Sequence, residues 1–294
     1  MKKAIFITGP TSSGKSDLAI WLAKKINGEI INADSRQVYK YLNWGSGKIS
    51  KKEQKLVKHY LLSIASPKKN YSLGRWLNDV NKVIKKIYRK NKIPIFCGGT
   101  ILYLRALKEG WILPKVKPDY KLRKKLEKFS LEELIEKIKK INPDGLKKLD
   151  LKNKRRVIRR LEIILKTKKP PELIKNPQYD LLILAPYLEE KKLFKKIKKR
   201  LIQRVPKIIK EIKKLRKMGI SFKRIINWGL EYKWFGLFVK GEIDLKTALE
   251  KCYQDTLRFT KRQIRELKKI EGVNWVKNKI EAYQKVKAWL STKN

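Results

Sequence analysis

The stretch that decides the fold of this 294-residue chain is Gly9-Pro10-Thr11-Ser12-Ser13-Gly14-Lys15-Ser16. It follows an apolar run at residues 4–7 and precedes a run with helical spacing. The pattern G-x-x-x-x-G-K-S between a strand and a helix is typical of a loop that cradles phosphates. Its backbone N–H groups and the helix N-terminus both attract anions. A glycine-rich turn without a ligand is the alternative, and it would leave Lys15 unexplained.

The apolar runs that follow predict the rest of the fold. Residues 29–33, 92–97 and 179–185 read as further buried strands, and helical patterns separate them. Strands alternating with helices indicate a parallel sheet. We therefore predict an α/β fold, a P-loop NTPase-like parallel sheet core with a helical insertion and a helical C-terminal region. The predicted segments are residues 1–114 for the first part of the core, 115–175 for the insertion, and 176–294 for the return to the core and the C-terminal helices.

Two polar residues follow predicted strands. Asp34 comes directly after the second strand, and Thr100 follows Gly98 and Gly99 at the end of the third. Ligands bind at the carboxyl ends of the strands in an open parallel sheet, so we expect both residues to face the phosphate loop. The alternative for Asp34 is a helix or turn cap. No Asp ends the third strand, which argues against a motor ATPase.

Composition restricts the partners. The chain carries 76 Lys and Arg against 27 Asp and Glu, a formal net charge of +49. Such a field attracts nucleic acid, although a lysine-rich proteome would give the same excess. Two cysteines without metal-ligand spacing and one histidine exclude a Cys/His zinc site and argue against a disulfide framework. No apolar run is long enough for a membrane span, and no signal peptide precedes the first strand, so we expect a cytoplasmic protein.

A basic helix is predicted within the insertion. Four arginines at positions 155, 156, 159 and 160 recur at helical spacing beside an apolar stripe. They are candidates for contacts with an RNA backbone. A solvated helix face is the alternative. The still longer basic helix at residues 190–217 has apolar residues at every third or fourth position, which indicates one buried seam.

Taken in order, these motifs resemble those of the tRNA dimethylallyltransferase family. Single pieces are weak, but the ordered set runs along nearly the whole chain. Beyond the phosphate loop, the matching pieces are Asp34-Ser35-Arg36-Gln37-Val38-Tyr39, Tyr71-Ser72, Gly98-Gly99-Thr100 with Leu102-Tyr103 and Arg105-Ala106-Leu107, Asp150 with Asn153, Arg156 and Arg159-Arg160-Leu161-Glu162, Gly229-Leu230-Glu231-Tyr232-Lys233, Gly241-Glu242-Ile243, and Lys261-Arg262-Gln263.

The resemblance implies a reaction. The family transfers a dimethylallyl group from dimethylallyl diphosphate to N6 of adenosine 37, in tRNAs that read codons beginning with U. It implies that the phosphate loop holds the diphosphate, that Mg²⁺ is the cofactor, and that the partners are dimethylallyl diphosphate and the tRNA anticodon stem-loop. We expect a monomer that has no membrane partner.

The resemblance also implies residue roles. Asp34 and Thr100 are the catalytic pair, and Ser16 ligates the metal. Lys213 stands where many relatives carry a diphosphate-binding arginine. Diphosphate binding is implied for Gly9, Pro10, Thr11, Ser12, Ser13, Gly14, Lys15, Ser16 and Lys213. Binding of tRNA is implied for Asp34, Ser35, Arg36, Gln37, Thr100, Arg123, Arg155, Arg156, Val157, Ile158 and Arg159.

Two other classes of function fit parts of the same pattern. A nucleotide or polynucleotide kinase-like phosphotransferase would bind ATP at the loop and use Asp34 as base for a hydroxyl. A non-catalytic RNA-binding module would keep the basic surface and a vestigial loop. The donor molecule separates the three, because only a prenyltransferase converts tRNA with dimethylallyl diphosphate.

Overall fold

Strands and helices alternate through the first 108 residues of the chain. A computed structural model of the protein describes residues 1–292. Its first elements are β1 (Lys2–Ile7), α1 (Lys15–Lys25), β2 (Gly28–Asn32), α2 (Lys51–Leu56), β3 (His59–Tyr60), α3 (Leu73–Tyr88), β4 (Ile93–Cys97) and α4 (Ile101–Lys108). In α3, Trp76, Val80, Ile84 and Ile87 recur at helical spacing and are all buried, while Ser72 caps the first turn.

Residues 109–177 form a compact unit of their own. Its elements are β5 (Trp111–Ile112), α5 (Tyr120–Leu126), α6 (Leu131–Ile141), a 3₁₀ turn (Pro143–Leu146), α7 (Lys154–Thr167) and β6 (Ile174–Lys175). The unit begins before and ends after the predicted 115–175, because β5 and β6 pair as an antiparallel ribbon. The sequence predicted only helices here. Leu134, Ile138, Val157 and Leu161 lie in its hydrophobic core.

The chain then returns to the first compact unit, which comprises residues 1–108 and the part from 178 onward. The returning elements are β7 (Tyr179–Pro186), α8 (Glu190–Lys217), α9 (Phe222–Ile226), α10 (Leu230–Lys240), α11 (Leu245–Lys268), β8 (Val273–Val276) and α12 (Lys279–Ser291). No helix within residues 1–292 is long and apolar enough to cross a membrane.

The central sheet has six strands in the order β3-β2-β4-β1-β7-β8. Every pairing in it is parallel; Ile5, for example, lies opposite both Ile95 of β4 and Leu182 of β7. The predicted parallel sheet is confirmed. Because all strands run the same way, the carboxyl ends of β1, β2 and β4 share one edge.

Alternation along β1 divides the core of this unit between the two faces of the sheet. Ala4 and Phe6 face the cluster that contains Trp76 and Phe96, whereas Ile5 and Ile7 face another cluster packed on α1. A third cluster joins α8, α10 and α11 through side chains such as Ile208, Phe235 and Cys252. Burial on both faces fixes the register of β1, and with it the position of the loop at its end.

Candidate functional site

The phosphate loop connects β1 to α1 as predicted from the sequence. Gly14 precedes the first turn of α1 in a left-handed conformation, and no side chain caps that turn. The first backbone N–H groups of the helix therefore have no side-chain acceptor. Ser13 adds a buried hydroxyl that has no hydrogen-bond partner within residues 1–292. Uncapped amides and a free hydroxyl are the groups that bind a phosphate.

Lys15 lies over this loop with its charge poorly compensated. Its Nζ donates to the carbonyl oxygen of Pro10 at 2.5 Å. Burial lowers the pKa of Lys15 to about 8; Cys97 and Asp34 oppose the shift, and Arg200 adds to it. Arg200 reaches the loop, since its Nη1 lies 3.5 Å from Ser12 Oγ. Asp34 follows Ala33, whose N–H donates to the carbonyl of Cys97 at 2.8 Å, and the next residue of that strand end, Gly98, donates its N–H to the carbonyl of Ile7 at 3.1 Å, so the ends of β2, β4 and β1 lie side by side. No salt bridge to Lys15 exists in the described part of the chain, so an incoming anion would stabilise its charge.

The sequence allowed Asp34 to be either a turn cap or a residue that faces the substrate, and the structure allows both. Its Oδ1 accepts the backbone N–H of Arg36 at 2.8 Å and that of Gln37 at 3.3 Å, which is a turn cap. Its Oδ2 accepts no hydrogen bond from residues 1–292. Thr100 lies beside it, since Thr100 Oγ1 accepts the N–H of Ser35 at 3.0 Å. One carboxylate oxygen is thus structural, and the other is available to a substrate.

The turn after β2 is held by the side chains that the sequence predicted to bind tRNA. Arg36 Nε donates to the carbonyl of Trp228 at 2.9 Å. Gln37 Nε2 donates to the carbonyls of Ser46 and Gly47 at 3.3 and 3.5 Å. Both side chains are therefore used, at least in part, to fix the wall of the crevice around Asp34.

The arginine that reaches the phosphate loop is Arg200, not Lys213. Arg200 Nη1 lies 3.5 Å from Ser12 Oγ, and its Nη2 donates to the carbonyl of Gly47 at 3.1 Å. Lys213 is exposed farther along α8, and at 1.5 Å per residue about 20 Å of helix separates the two positions. The predicted diphosphate role of Lys213 is corrected on this geometry.

Arg204 is a second arginine that sequence reasoning missed. Its Nη1 lies 3.5 Å from Glu231 Oε1, while its buried Nε and Nη2 have no hydrogen-bond partner within residues 1–292. Burial raises the pKa of Glu231, and Arg204 opposes that shift. The spacing of the α8 seam could have revealed both arginines, because 197, 200, 204 and 208 fall on one helix face and 213 does not.

The two glycines after β4 make room for protein rather than for a ligand. A Cβ on Gly98 would lie 2.2 Å from the backbone carbonyl of Ala33, and one on Gly99 would lie 2.7 Å from Gln263 Nε2. They bring the ends of β2 and β4 together, and with them Asp34 and Thr100.

The predicted metal ligand, Ser16, lies in the first turn of α1. Within residues 1–292, no three His, Cys, Asp or Glu side chains converge on a possible metal position. A hydroxyl without a protein cage fits Mg²⁺ that is held mainly by phosphate oxygens and water.

In the unit formed by residues 109–177, two predicted tRNA ligands are bound internally. Arg123 donates from Nε and Nη2 to the two carboxylate oxygens of Glu162 at 3.1 and 2.7 Å. Arg159 also pairs with Glu162 and donates to the carbonyl of Val116 at 2.8 Å. Burial raises the pKa of Glu162, but hydrogen bonds from Arg123, the Asp119 N–H and Arg159 outweigh it, so the pKa lies below its usual value.

The other predicted tRNA ligands of α7 divide by exposure. Val157 and Ile158 are buried in the core of the unit, so the prediction that they contact tRNA is corrected for their side chains. Arg155 and Arg156 are exposed. Arg156 pairs with Asp150 at 3.1 Å across the surface, which is a weak interaction that a phosphate could replace.

Comparison with known proteins decides the family. The model of the IPP transferase family matches residues 37–269. The chain belongs to the IPP transferase family. Among its curated IPP transferase relatives, the tRNA dimethylallyltransferase of Acetivibrio thermocellus is 37% identical over 97% of this chain and 95% of its own length. That of Leuconostoc mesenteroides is 35% identical over the full length of both.

Solved IPP transferase structures share the fold. The full-length tRNA isopentenylpyrophosphate transferase of Bacillus halodurans is 28% identical, with a TM-score of 0.73 over 99% of this chain and 96% of that one. A eukaryotic dimethylallyltransferase acting on tRNA is 27% identical, with a TM-score of 0.83 over all of this chain and 81% of that one. The P-loop-like α/β fold is confirmed.

Proposed function

We propose that this IPP transferase transfers the dimethylallyl group of dimethylallyl diphosphate to N6 of adenosine 37, in tRNAs that read codons beginning with U. The products are N6-(dimethylallyl)adenosine and diphosphate. The observation that carries the proposal is that Lys15, in the loop after β1, and Asp34, directly after β2, lie at the same carboxyl edge of the parallel sheet, where both strands flank β4. A cation for the leaving group thus lies near a base for the nucleophile.

The diphosphate binds along the loop. Lys15, Arg200 and the Ser13 hydroxyl supply donors that protein carboxylates do not occupy. Negative charge grows on the diphosphate as the C1–O bond breaks, and fixed donors in a buried site stabilise it most at that moment. Mg²⁺ would be held by Ser16 and phosphate oxygens, where it would supply further positive charge.

The adenine amine attacks the C1 carbon, and the new N6–C1 bond forms as the C1–O bond breaks. The lone pair of the amine is delocalised into the ring, so it is a poor nucleophile until a proton leaves. The free Oδ2 of Asp34 accepts that proton. Thr100 accepts a hydrogen bond from the N–H of Ser35 and so forms the wall of the crevice next to Asp34. Its hydroxyl is proposed to contact the adenine.

The tRNA is the second substrate. Its target base must leave the anticodon stack to enter a crevice at the edge of a sheet, as in other enzymes that modify bases. The net charge of +49 attracts the RNA, and exposed Arg155 and Arg156 are its proposed contacts on α7. We also propose that the enzyme acts in the cytoplasm as a monomer.

One assay tests the function. The protein is incubated with unmodified tRNA carrying A36-A37-A38, with dimethylallyl diphosphate and Mg²⁺. The tRNA is then digested to nucleosides, and their masses are measured by mass spectrometry. We expect one dimethylallyl group on A37 and none on a tRNA with G37. A parallel reaction with γ-labelled ATP tests the kinase alternative. Labelled phosphate on tRNA or a nucleotide, with A37 unmodified, would contradict the proposal.

A further inference from the structure

A glutamine from the C-terminal half of the chain bridges two parts of the crevice. Gln263 lies on α11 and is only 5% exposed. Its Oε1 accepts the backbone N–H of Thr11 at 3.2 Å, and its Nε2 donates to the carbonyl of Gly99 at 3.0 Å. Both polar ends of the side chain are thus bonded to backbone atoms, in loops that follow β1 and β4.

The two loops carry different parts of the proposed chemistry. Thr11 belongs to the phosphate loop, and Gly99 directly precedes Thr100. No backbone hydrogen bond within residues 1–292 joins Thr11 to Gly99. The N–H of Thr11 is therefore committed to Gln263 rather than to a phosphate, and the amide spans from one loop to the other.

The fit around Gly99 is close enough to be specific. A Cβ at that position would lie 2.7 Å from Gln263 Nε2 and 3.6 Å from the carbonyl oxygen of Gly9. A larger residue at 99 would therefore displace the glutamine or push the phosphate loop away.

We propose that Gln263 is a positioning residue that fixes the distance between the phosphate loop and the turn carrying Thr100. The inference rests on the proposed function, because these loops then hold the diphosphate donor and the acceptor base. Transfer requires C1 and N6 to meet in line, and a displacement near 1 Å can cost roughly 100-fold in rate. Gln263 touches neither reacting atom and acts through the two backbones.

Gln263→Met tests the role, because it keeps the side-chain volume and removes both hydrogen bonds. We expect kcat of transfer to fall roughly 10- to 100-fold, with KM for tRNA and the thermal midpoint near wild type. Gln254→Met, at an exposed position of the same helix, is the matched control and should leave kcat unchanged. A kcat for Gln263→Met within twofold of wild type would overturn the proposal.

The fit at Gly99 provides an independent variant. Gly99→Ala should lower kcat in the wild-type background, because its Cβ displaces Gln263. In a Gln263→Ala background the added methyl group has space, so Gly99→Ala should cost at least fivefold less in kcat. Equal costs in both backgrounds would show that the two residues do not act together, and would contradict the bridge.

Hydrogen exchange provides a readout that does not depend on turnover. The Thr11 amide should exchange faster in Gln263→Met than in the wild type, while amides of α1 keep their protection. Unchanged exchange at Thr11 would also overturn the proposal. A wild-type enzyme that transfers no dimethylallyl group would instead contradict the proposed function, so the two failures are distinguishable.

Discussion

Arginine and lysine side chains do different work in the two units of this protein. In the crevice at the end of β1, Lys15 and Arg200 donate to neutral oxygens of Pro10, Ser12 and Gly47. In residues 109–177, Arg123 and Arg159 both pair with the buried carboxylate of Glu162. The positive charges of Lys15 and Arg200 have no carboxylate partner and can bind an incoming anion. Those of Arg123 and Arg159 are already paired with the carboxylate of Glu162.

The comparison shows that partner chemistry, rather than residue type, separates a binding cation from a structural one. A buried carboxylate with two arginines is a closed cluster, and its loss leaves uncompensated charge inside the unit. A cation with carbonyl and hydroxyl partners gains more from an incoming diphosphate. Arg204 lies between these cases, because it is near Glu231 yet keeps two unpaired donors.

Among substitutions of the basic residues, Lys15→Met should have the largest effect. Loss of the loop cation should lower kcat of transfer roughly 10²- to 10³-fold. The same change should stabilise the fold. The native pKa of about 8 lies below the ordinary lysine value of 10.5. Charged Lys15 therefore lowers the free energy of unfolding below pH 8, and this cost disappears as the pH rises from 8 to 10.5.

Chemical denaturation from pH 7 to 10.5 checks the sign. The stability advantage of Lys15→Met over wild type should be full at pH 7 and shrink as the pH rises. A variant that is less stable than wild type at pH 7 would show that the lysine is already well compensated, which would remove the contrast between the two units.

Arg200→Gln should have the next largest effect on transfer. We expect kcat/KM for dimethylallyl diphosphate to fall roughly 10- to 100-fold, because one charged donor to the leaving group is lost. Lys213→Gln on the same helix is the control, with an expected change below about twofold. Steady-state kinetics at fixed saturating tRNA measures both, and a larger effect at 213 would reverse the assignment of the two positions.

Glu162→Met addresses the other side of the comparison. Removing the shared carboxylate should lower the free energy of unfolding by about 3 kcal/mol, because two half-buried arginines lose their partner. The pKa of Glu162 is lowered from 4.5, so its contribution is complete above that pH and is lost as the pH falls further.

Denaturant titration of the full chain at pH 7 and pH 3 measures this loss, which should be smaller at pH 3. The kcat of the folded fraction should stay near wild type. A Glu162→Met enzyme with wild-type stability and poor tRNA binding would instead make Arg123 and Arg159 RNA ligands, as the sequence first suggested.

The smallest effect concerns the exposed face of α7. Arg155→Gln should weaken tRNA binding by a few-fold and reduce the slope of log K against log salt by about one. Stability should not change. Filter binding across a salt series measures the slope, and Glu127→Gln, also exposed in the same unit, is a control expected to leave it unreduced. A slope unchanged in Arg155→Gln would place the phosphate contacts elsewhere.

The sheet and the phosphate loop could be predicted because their signals are local. The apolar run before Gly9 and the stripe containing Trp76 determine strand and helix from their own spacing. Asp34 and Thr100 could be placed because parallel strands end at one edge. In each case a single segment and the direction of the sheet were sufficient.

The partners of the charged groups could not be predicted, since they depend on distant segments. Arg123 and Arg159 look like RNA ligands until Glu162 is seen to be buried between them. Glu211 of α8 likewise accepts the N–H groups of Asn43, Trp44 and Gly45. Helical spacing shows on which face of a helix such a residue lies. Only the tertiary structure shows whether its charge is already paired.

The most direct test of the central claim is single-turnover transfer by Asp34→Asn. This change keeps a cap acceptor for the Arg36 N–H and removes the carboxylate that takes the N6 proton. We predict that the rate of dimethylallyl transfer falls roughly 10²- to 10⁴-fold, while tRNA and diphosphate bind as in wild type. Transfer by Asp34→Asn at the wild-type rate would contradict the account.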